Sequence, residues 1–200
     1  MIHEDLWKRL AAADPADVCT RCIIQHDASR GAYILDMLGQ TYAVVAARKV
    51  IEKGVAGPTV VTDIHFYVST AQYLLSAKDT PRSGEWVTEK QLAYGDFFFA
   101  TPHPLPTAKI VKRFGTDVEA FVKAGAKLGG KRLSFGDAAY ELKVFPRLPL
   151  AYVLWRADEE FPARVQILFD STAEQHMAVD ALWSAMHIVS TELLAAGEGA

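Results

Sequence analysis

The sequence predicts an α+β protein in which helices pack against an antiparallel sheet. Half of the 200 residues are hydrophobic and 22% are charged, as is typical of a globular chain rather than a disordered one. Short apolar runs separated by turn residues fill the second half, which indicates an antiparallel meander. A chain of this length can bury one large core. We therefore expect a single domain over residues 1–200, with a hinge near residue 100 left open.

Two helices and a β-hairpin are expected to open the chain. Apolar residues recur at helical spacing within residues 2–13, and the Asp14-Pro15 pair ends this helix and offers a cap for a second one from Ala16. Two apolar runs, residues 33–38 and 42–47, then flank Gly39-Gln40 as the strands of a hairpin would. Residues 50–61 contain Gly54, Gly57 and Pro58, and are interpreted as strand and loop.

Three further helices are predicted from the same periodicity. An amphipathic helix of about four turns begins at Thr62. A second occupies residues 116–128, because Thr116 and Glu119 have the spacing of a capping box and Gly129-Gly130 supplies a stop. A third, residues 179–195, carries one apolar stripe. Between them, residues 77–96 are interpreted as a loop with a short strand at Trp86, and TPHPLP (101–106) as a proline-broken connection.

The predicted meander has four strands. They are residues 131–135, 138–145, 150–155 and 165–169, joined by Gly136-Asp137, by a turn at 146–149 and by the acidic segment 156–160. The third and fourth strands are apolar at nearly every position, so both of their faces must be covered. Helices are expected on one face and the N-terminal hairpin on the other.

Composition argues against several classes of partner. A net charge of −3 and a pI near 6.1 provide no overall positive field for nucleic acid or an anionic membrane. The N-terminus lacks the basic start and apolar run of a signal peptide, and no run approaches the ~20 apolar residues of a membrane span. Two cysteines are too few for a secreted disulfide scaffold. We therefore expect a cytoplasmic protein that binds neither nucleic acid nor membrane.

Two segments together resemble a known family. They are YLLSAKDTPRSGEWVTEKQL (73–92) and FGTDVEAFVKAGAKLGGKRLSFGDAAYELKVFPRLPLAYVLWRADEEFPARVQILFDSTA (114–173). The chain resembles an uncharacterised domain-of-unknown-function family of anaerobic bacteria and archaea. Some relatives carry an iron–sulfur domain similar to that of corrinoid one-carbon proteins, so the resemblance implies an accessory role and no catalytic residues. The positions that carry the match are Gly84, Trp86, Gly129, Gly130, Gly136, Asp137, Pro146, Asp158, Glu160, Phe161, Pro162, Phe169 and Asp170.

Cys19, Cys22 and His26 form the one cysteine-containing pattern that could hold a metal. On a single helix these three positions would share a face and could meet one Zn²⁺. A fourth ligand is missing from the pattern, and a lone C-x-x-C ahead of the first strand is not typical of a redox motif. We expect two reduced thiols that pack as small hydrophobic groups.

The histidines and the basic residues carry no recognised motif. His3, His26, His65, His103, His176 and His187 occur in no ligand or catalytic spacing, and His187 is expected to pack beside the last helix's apolar stripe. Residues 109–132 contain seven Lys or Arg against two acids. Anions could gather along this segment, but a solvated helix face is the preferred interpretation, because Glu119 and Lys123 form an i, i+4 pair and lysines are common on exposed helix faces.

The acidic segment suggests a cation site. In a meander, the turn at Gly136-Asp137 and the turn at 156–160 lie at the same edge of the sheet. Asp137 would therefore approach Asp158, Glu159 and Glu160, and such hard oxygen ligands suit Mg²⁺ or Ca²⁺. A basic partner could neutralise the same carboxylates. The preferred interpretation is a solvated turn whose charges protect the sheet edge.

Three functions remain open. The leading hypothesis is a non-catalytic protein that binds a small apolar or cofactor-sized molecule, or an accessory protein, with its ligand in a cleft beside the apolar strands. The second is a hydrolase or lyase that uses a divalent cation at the acidic edge. The third is a subunit that binds a protein partner.

Overall fold

The computed structural model describes residues 4–54, 58–100 and 102–198. The predicted helix start at Ile2, Gly57 of the predicted loop and Thr101 of the proline-broken connection lie outside these residues. The helices are α1 (Glu4–Ala12), α2 (Pro15–Cys22), α3 (Ile64–Ser76), α4 (Gly95–Phe98), α5 (Ala108–Phe114), α6 (Val118–Lys127) and α7 (Val179–Glu198). The strands are β1 (Gln25–Asp27), β2 (Ala32–Met37), β3 (Gln40–Val45), β4 (Val50–Lys53), β5 (Thr59–Val60), β6 (Trp86–Val87), β7 (Lys131–Leu133), β8 (Ala138–Phe145), β9 (Leu148–Trp155) and β10 (Arg164–Asp170).

The strands form two antiparallel sheets. The N-terminal sheet has the order β1-β2-β3-β4-β5, and the C-terminal sheet has the order β6-β10-β9-β8-β7. The α+β class and the four-stranded meander are confirmed. The predicted N-terminal hairpin, β2–β3, belongs to its own sheet because β1 and β4 pair with its two edges and satisfy its backbone groups.

The hairpin turn links the two sheets. Met37 pairs with Gln40, so the turn residues are Leu38 and Gly39 rather than the predicted Gly39-Gln40. Both have positive φ, 50° and 73°, as a two-residue type I′ turn requires. The Leu38 N–H donates to the carbonyl of Lys143 on β8 at 2.9 Å. The tip of the N-terminal sheet is thereby fixed against the C-terminal sheet.

The C-terminal sheet lies at the centre of the protein. Every residue of β9 from Leu148 to Leu154 is buried, as its continuous apolar sequence predicts. Helix α7 packs on this sheet, and the Tyr152 hydroxyl donates to the Met186 carbonyl at 2.9 Å and lies 3.0 Å from Ser190 Oγ. One buried apolar cluster extends from Trp7 to Ala196 and includes residues of both sheets.

Side chains near the helix ends cap them as local sequence patterns indicate, except at the start of α6. The predicted cap of α6 is wrong by one residue, because the carboxylate of Asp117, not Thr116, accepts from the Ala120 N–H at 3.0 Å. The capping box of Thr88 and Gln91 is present. Helices α4 and α5 were not predicted, because four and seven residues are too short to show a clear period.

Two buried polar residues fix loops to the core. Arg147, in the β8–β9 turn, donates to the carbonyls of Arg21 and Thr80 and to the carboxylate of Asp79. Asp170, at the end of β10, accepts from the backbone N–H groups of three residues, Ser83, Gly84 and Thr172, and from the hydroxyls of Ser83 and Thr172. Both residues hold irregular chain segments in one conformation.

Across residues 4–54, 58–100 and 102–198, none of the helices combines the length and apolar character that crossing a membrane requires.

Candidate functional site

A groove of about 700 Å³ lies between α7 and residues 102–109. Its α7 side is a single stripe, because the lining positions recur every three or four residues. That stripe consists of Trp183, His187, Ser190, Thr191, Leu194, Ala195 and Glu198. The opposite wall consists of Pro102, Pro104, Leu105, Pro106, Ala108 and Lys109.

The groove exists because the proline-rich segment cannot pack on α7 as a helix. Proline lacks an N–H group and restricts the residue before it to extended conformations. Residues 102–106 therefore run as irregular chain before α5 begins at Ala108. One hydrogen bond fixes the separation between the walls: Trp183 Nε1 donates to the carbonyl of Pro104 at 3.0 Å.

Three histidines surround Trp183 at one end of the groove. The rings of His65 and His187 are stacked, with centroids 4.4 Å apart and planes 7° apart. Trp183 meets His187 edge-on at 4.3 Å, His103 at 5.2 Å and His65 at 5.4 Å. His103 also stacks on Phe98 at 4.5 Å. These contacts join α3, α7 and the proline-rich segment. We call His65, His103, Trp183 and His187 the histidine–tryptophan cluster.

The electrostatics of this cluster differ from those of a solvated surface. Burial lowers the pKa of His187, and the nearby positive charges of His65 and Lys109 lower it further against the opposing effect of Asp63. His187 Nε2 is buried and has no hydrogen-bond partner within the described residues. His65 Nδ1 lies 3.4 Å from Ser184 Oγ. His187 is therefore neutral at pH 7 and lies at the wall of a largely apolar groove.

Sequence reasoning missed this site. It assigned His187 to packing and found no spacing that linked the histidines, because they come from three distant segments that only the tertiary fold brings together. His187 does pack, against His65 and Trp183, but it also lines the groove. The one available signal was the proline-broken segment that contains His103.

The structure does not place Cys19, Cys22 and His26 on one helix face. Helix α2 ends at Cys22, Ile23 adopts a left-handed conformation, and His26 lies on β1. The shared-face argument is therefore wrong. Cys22 is buried beside the carbonyl of Tyr73, whereas Cys19 is half-buried at the edge of a groove of about 660 Å³. Burial raises the pKa of the Cys22 thiol to about 12. Both thiols are free.

The acidic turns do lie at the same edge of the C-terminal sheet. Asp137 and Asp158 both line a pocket of about 420 Å³, together with Arg156 and Arg164. Asp137 accepts from the Arg156 N–H at 2.9 Å, so its turn is tied to the acidic segment. Asp158 accepts from the N–H groups of Glu160 and Phe161, two and three residues further along the chain, at 2.9 and 2.7 Å.

Glu159 and Glu160 are exposed and are not among the residues that line this pocket. Among the described parts of the chain, no three His, Cys, Asp or Glu side chains form a group that could hold a metal ion. The pocket contains two of the four predicted carboxylates and two arginines. A Mg²⁺ or Ca²⁺ site at this edge stays a prediction.

The fold and the groove define an α+β protein of two antiparallel sheets, with a groove of small-molecule size beside its longest described helix. The chain belongs to the family described as Domain of unknown function (DUF3786), whose model matches residues 14–192. This confirms the resemblance to a domain-of-unknown-function family. No curated protein and no solved structure matches the chain.

Proposed function

We propose that this protein binds a small, largely apolar molecule in the groove between α7 and residues 102–109. The observation that carries the proposal is the groove itself, which combines an apolar wall with a perturbed titratable group, His187. Small-molecule sites in proteins have volumes of about 300–1,000 Å³, are lined mainly by apolar and aromatic groups and contain a few polar groups that orient the ligand. The groove, at about 700 Å³, fits this description.

The composition of the two walls supports a ligand with a flat apolar part. Trp183 and His187 contribute aromatic surface to the lining, and Leu105 and Leu194 contribute aliphatic surface. Trp183 is fixed by its hydrogen bond to Pro104 and by its edge contacts with the three histidines. A rigid aromatic wall loses little side-chain entropy when a ligand binds.

The wider role in this proposal is that of a binding or accessory protein rather than a catalyst. The resemblance to a family of anaerobic bacteria and archaea, some with a corrinoid-type iron–sulfur domain, supports a role in anaerobic metabolism. The two free thiols support a reducing, cytoplasmic location.

Filling the groove tests the proposal. Ala195 is exposed and lines the groove, so Ala195→Trp occupies the space without altering the core. The control is Ala11→Trp, at an exposed position on α1. Native mass spectrometry of protein isolated without air, together with calorimetric titration of the neutral probe 2-naphthamide, measures retained and added ligand. We expect the wild type and the Ala11 variant to bind the retained ligand and 2-naphthamide, and the Ala195 variant to bind neither. Equal binding by all three proteins would place the ligand elsewhere. If the wild type carries no retained ligand and does not bind 2-naphthamide, the proposal is refuted.

A further inference from the structure

We propose that the ligand of this groove carries an anionic group, a carboxylate or a phosphate, that binds to Lys109 beside His187, while its apolar body extends along Leu194. This inference rests on the proposed function and adds the chemical class and the orientation of the ligand.

Lys109 is the cationic side chain of the groove lining. Among the described residues no carboxylate lies within 4.0 Å of its ammonium group. Its neighbour on the same helix, Arg113, is instead paired with Asp117 at 3.5 Å. The charge of Lys109 is therefore available to a ligand.

The one acid of the lining lies far along the groove. Glu198 follows His187 by eleven residues on α7, a distance of about 16 Å along the helix axis at 1.5 Å per residue. The C-terminus of α7, which also carries the negative end of the helix dipole, is at the same place. Arg113, one turn after Lys109 on α5, donates to the Gly197 carbonyl at 2.7 Å and offsets the dipole at that end. Within the groove lining, Lys109 is the cation and Glu198 the acid, which favours an anionic group on the Lys109 side.

A hydroxyl group adds a donor to the groove lining. Thr191 follows His187 by one helical turn on the same face and is exposed. The hydroxyl of Ser190 is already shared with Tyr152, at 3.0 Å, so Thr191 is the available hydroxyl. An ammonium and a hydroxyl can together bind two oxygens of one carboxylate or phosphate.

The titration of His187 responds to charge at this position. Lys109 is one of the charges that lower the pKa of His187, alongside His65 and against Asp63, while His103 faces the cluster from the proline-rich segment. An anion bound to Lys109 opposes its effect, so the pKa of His187 rises when the ligand binds. By linkage, binding of the anion also tightens as His187 becomes protonated.

A matched series of probes separates charge from apolar binding. The naphthyl body is common to 2-naphthoate, 2-naphthyl phosphate, neutral 2-naphthamide and the cation 2-naphthylmethylammonium. Calorimetry gives each Kd at low salt for the wild type, for Lys109→Met, which keeps an apolar stem, and for Lys112→Met. Lys112 is the control, because it is exposed on the same helix and does not line the groove.

We expect the better anion to bind the wild type about fivefold more tightly than 2-naphthamide, the size of one partly exposed ion pair. Lys109→Met should remove this preference, so that the anion and 2-naphthamide bind that variant with equal Kd, and Lys112→Met should retain the fivefold ratio. Whichever of 2-naphthoate and 2-naphthyl phosphate binds more tightly identifies the anionic group of the ligand. Proton NMR should show the His187 pKa rising in the wild type only when an anion is bound.

Equal binding of the neutral and anionic probes, preference for the cation, or an anion preference that survives in Lys109→Met would each overturn the inference. The proposed function fails separately. It fails if 2-naphthamide does not bind at all, or if Ala195→Trp binds it as well as the wild type.

Discussion

The imidazole rings of His65 and His187 lie parallel, with centroids 4.4 Å apart, and connect α3 to α7 beside the groove. Two protonated imidazoles in this arrangement would repel each other strongly because solvent does not separate them. Protonation of His187 in this arrangement is therefore unfavourable. Burial also lowers the pKa of His187, so this ring is neutral at pH 7.

The stability of the protein should depend on this pair below neutral pH. In the unfolded chain the pKa of His187 is about 6.5, whereas in the folded chain burial lowers this pKa. Its contribution is therefore fully present above about pH 6.5 and is lost as the pH falls toward the lowered folded pKa. Between pH 7.5 and 5.5 this loss is at most about 1.4 kcal/mol.

Urea unfolding at the two pH values measures the effect. His187→Gln should lose less free energy of unfolding on acidification than the wild type does. The control His26→Gln changes a half-buried histidine on β1 that lies far along the chain from the cluster, and it should behave like the wild type. An equal loss in all three proteins would show that the stacked pair does not titrate as described.

Asp170 should control stability at lower pH. Burial alone would raise the pKa of its carboxyl group, but hydrogen bonds from Thr172, Gly84 and Ser83 outweigh burial and lower the pKa to about 2. Because the folded pKa lies below the unfolded value, the stabilisation is present above about pH 4 and is lost as the pH falls toward 2. The difference corresponds to about 2 kcal/mol.

Asp170→Asn should cost about 2–4 kcal/mol at pH 7, because an amide cannot accept all the hydrogen bonds that the carboxylate accepts. Its unfolding free energy should also decline less than that of the wild type between pH 4 and 2. Asp36→Asn, at an exposed position on β2, should change stability by less than about 0.5 kcal/mol. A similar cost at both positions would contradict a specific role for Asp170.

Much of the fold follows from local sequence signals. The short apolar runs and turns of residues 131–170 give the meander, and the periodicity of residues 179–195 gives α7, because these patterns depend on neighbours in the chain. The partition into two sheets does not follow. It depends on β1 and β4 pairing with the hairpin, and β1 has three residues, too few to show a period.

The sites show the same limit. The shared edge of Asp137 and Asp158 was predictable because meander topology alternates the turns between two edges. The histidine–tryptophan cluster was not, because His65, His103 and His187 are separated by 38 and 84 residues and their spacing carries no information. The prediction that Cys19, Cys22 and His26 share one helix face was wrong because the helix ends at Cys22. The following residue, Ile23, adopts a left-handed conformation, which the sequence pattern did not indicate.

The two cysteines should differ in reactivity. Burial raises the pKa of the Cys22 thiol to about 12 and raises that of half-buried Cys19. Only the thiolate reacts with alkylating reagents, and Cys22 is also inaccessible. Iodoacetamide at pH 8 should therefore modify Cys19 slowly and Cys22 not at all in the folded protein, and both in urea. Mass spectrometry of the peptides measures this, and equal labelling of both thiols without urea would contradict the buried position of Cys22.

The acidic edge gives a prediction that the structure sharpens. Asp137 and Asp158 line one pocket, and Glu159 and Glu160 do not. If a divalent cation binds here, millimolar Ca²⁺ or Mg²⁺ raises the melting temperature of the wild type, by about 3 °C for each 1 kcal/mol of binding to the folded state. Calorimetric melting curves with and without the metal measure this change.

In Asp137→Asn/Asp158→Asn the increase should vanish. The fold should survive because each asparagine keeps a carbonyl oxygen for the N–H groups of Arg156, Glu160 and Phe161. The matched control, Glu159→Gln/Glu160→Gln, removes the same charge at positions outside the pocket lining and should retain the increase. If the metal leaves all three proteins unchanged, or stabilises them equally, these carboxylates act only by accepting the turn's hydrogen bonds and keeping the sheet edge solvated.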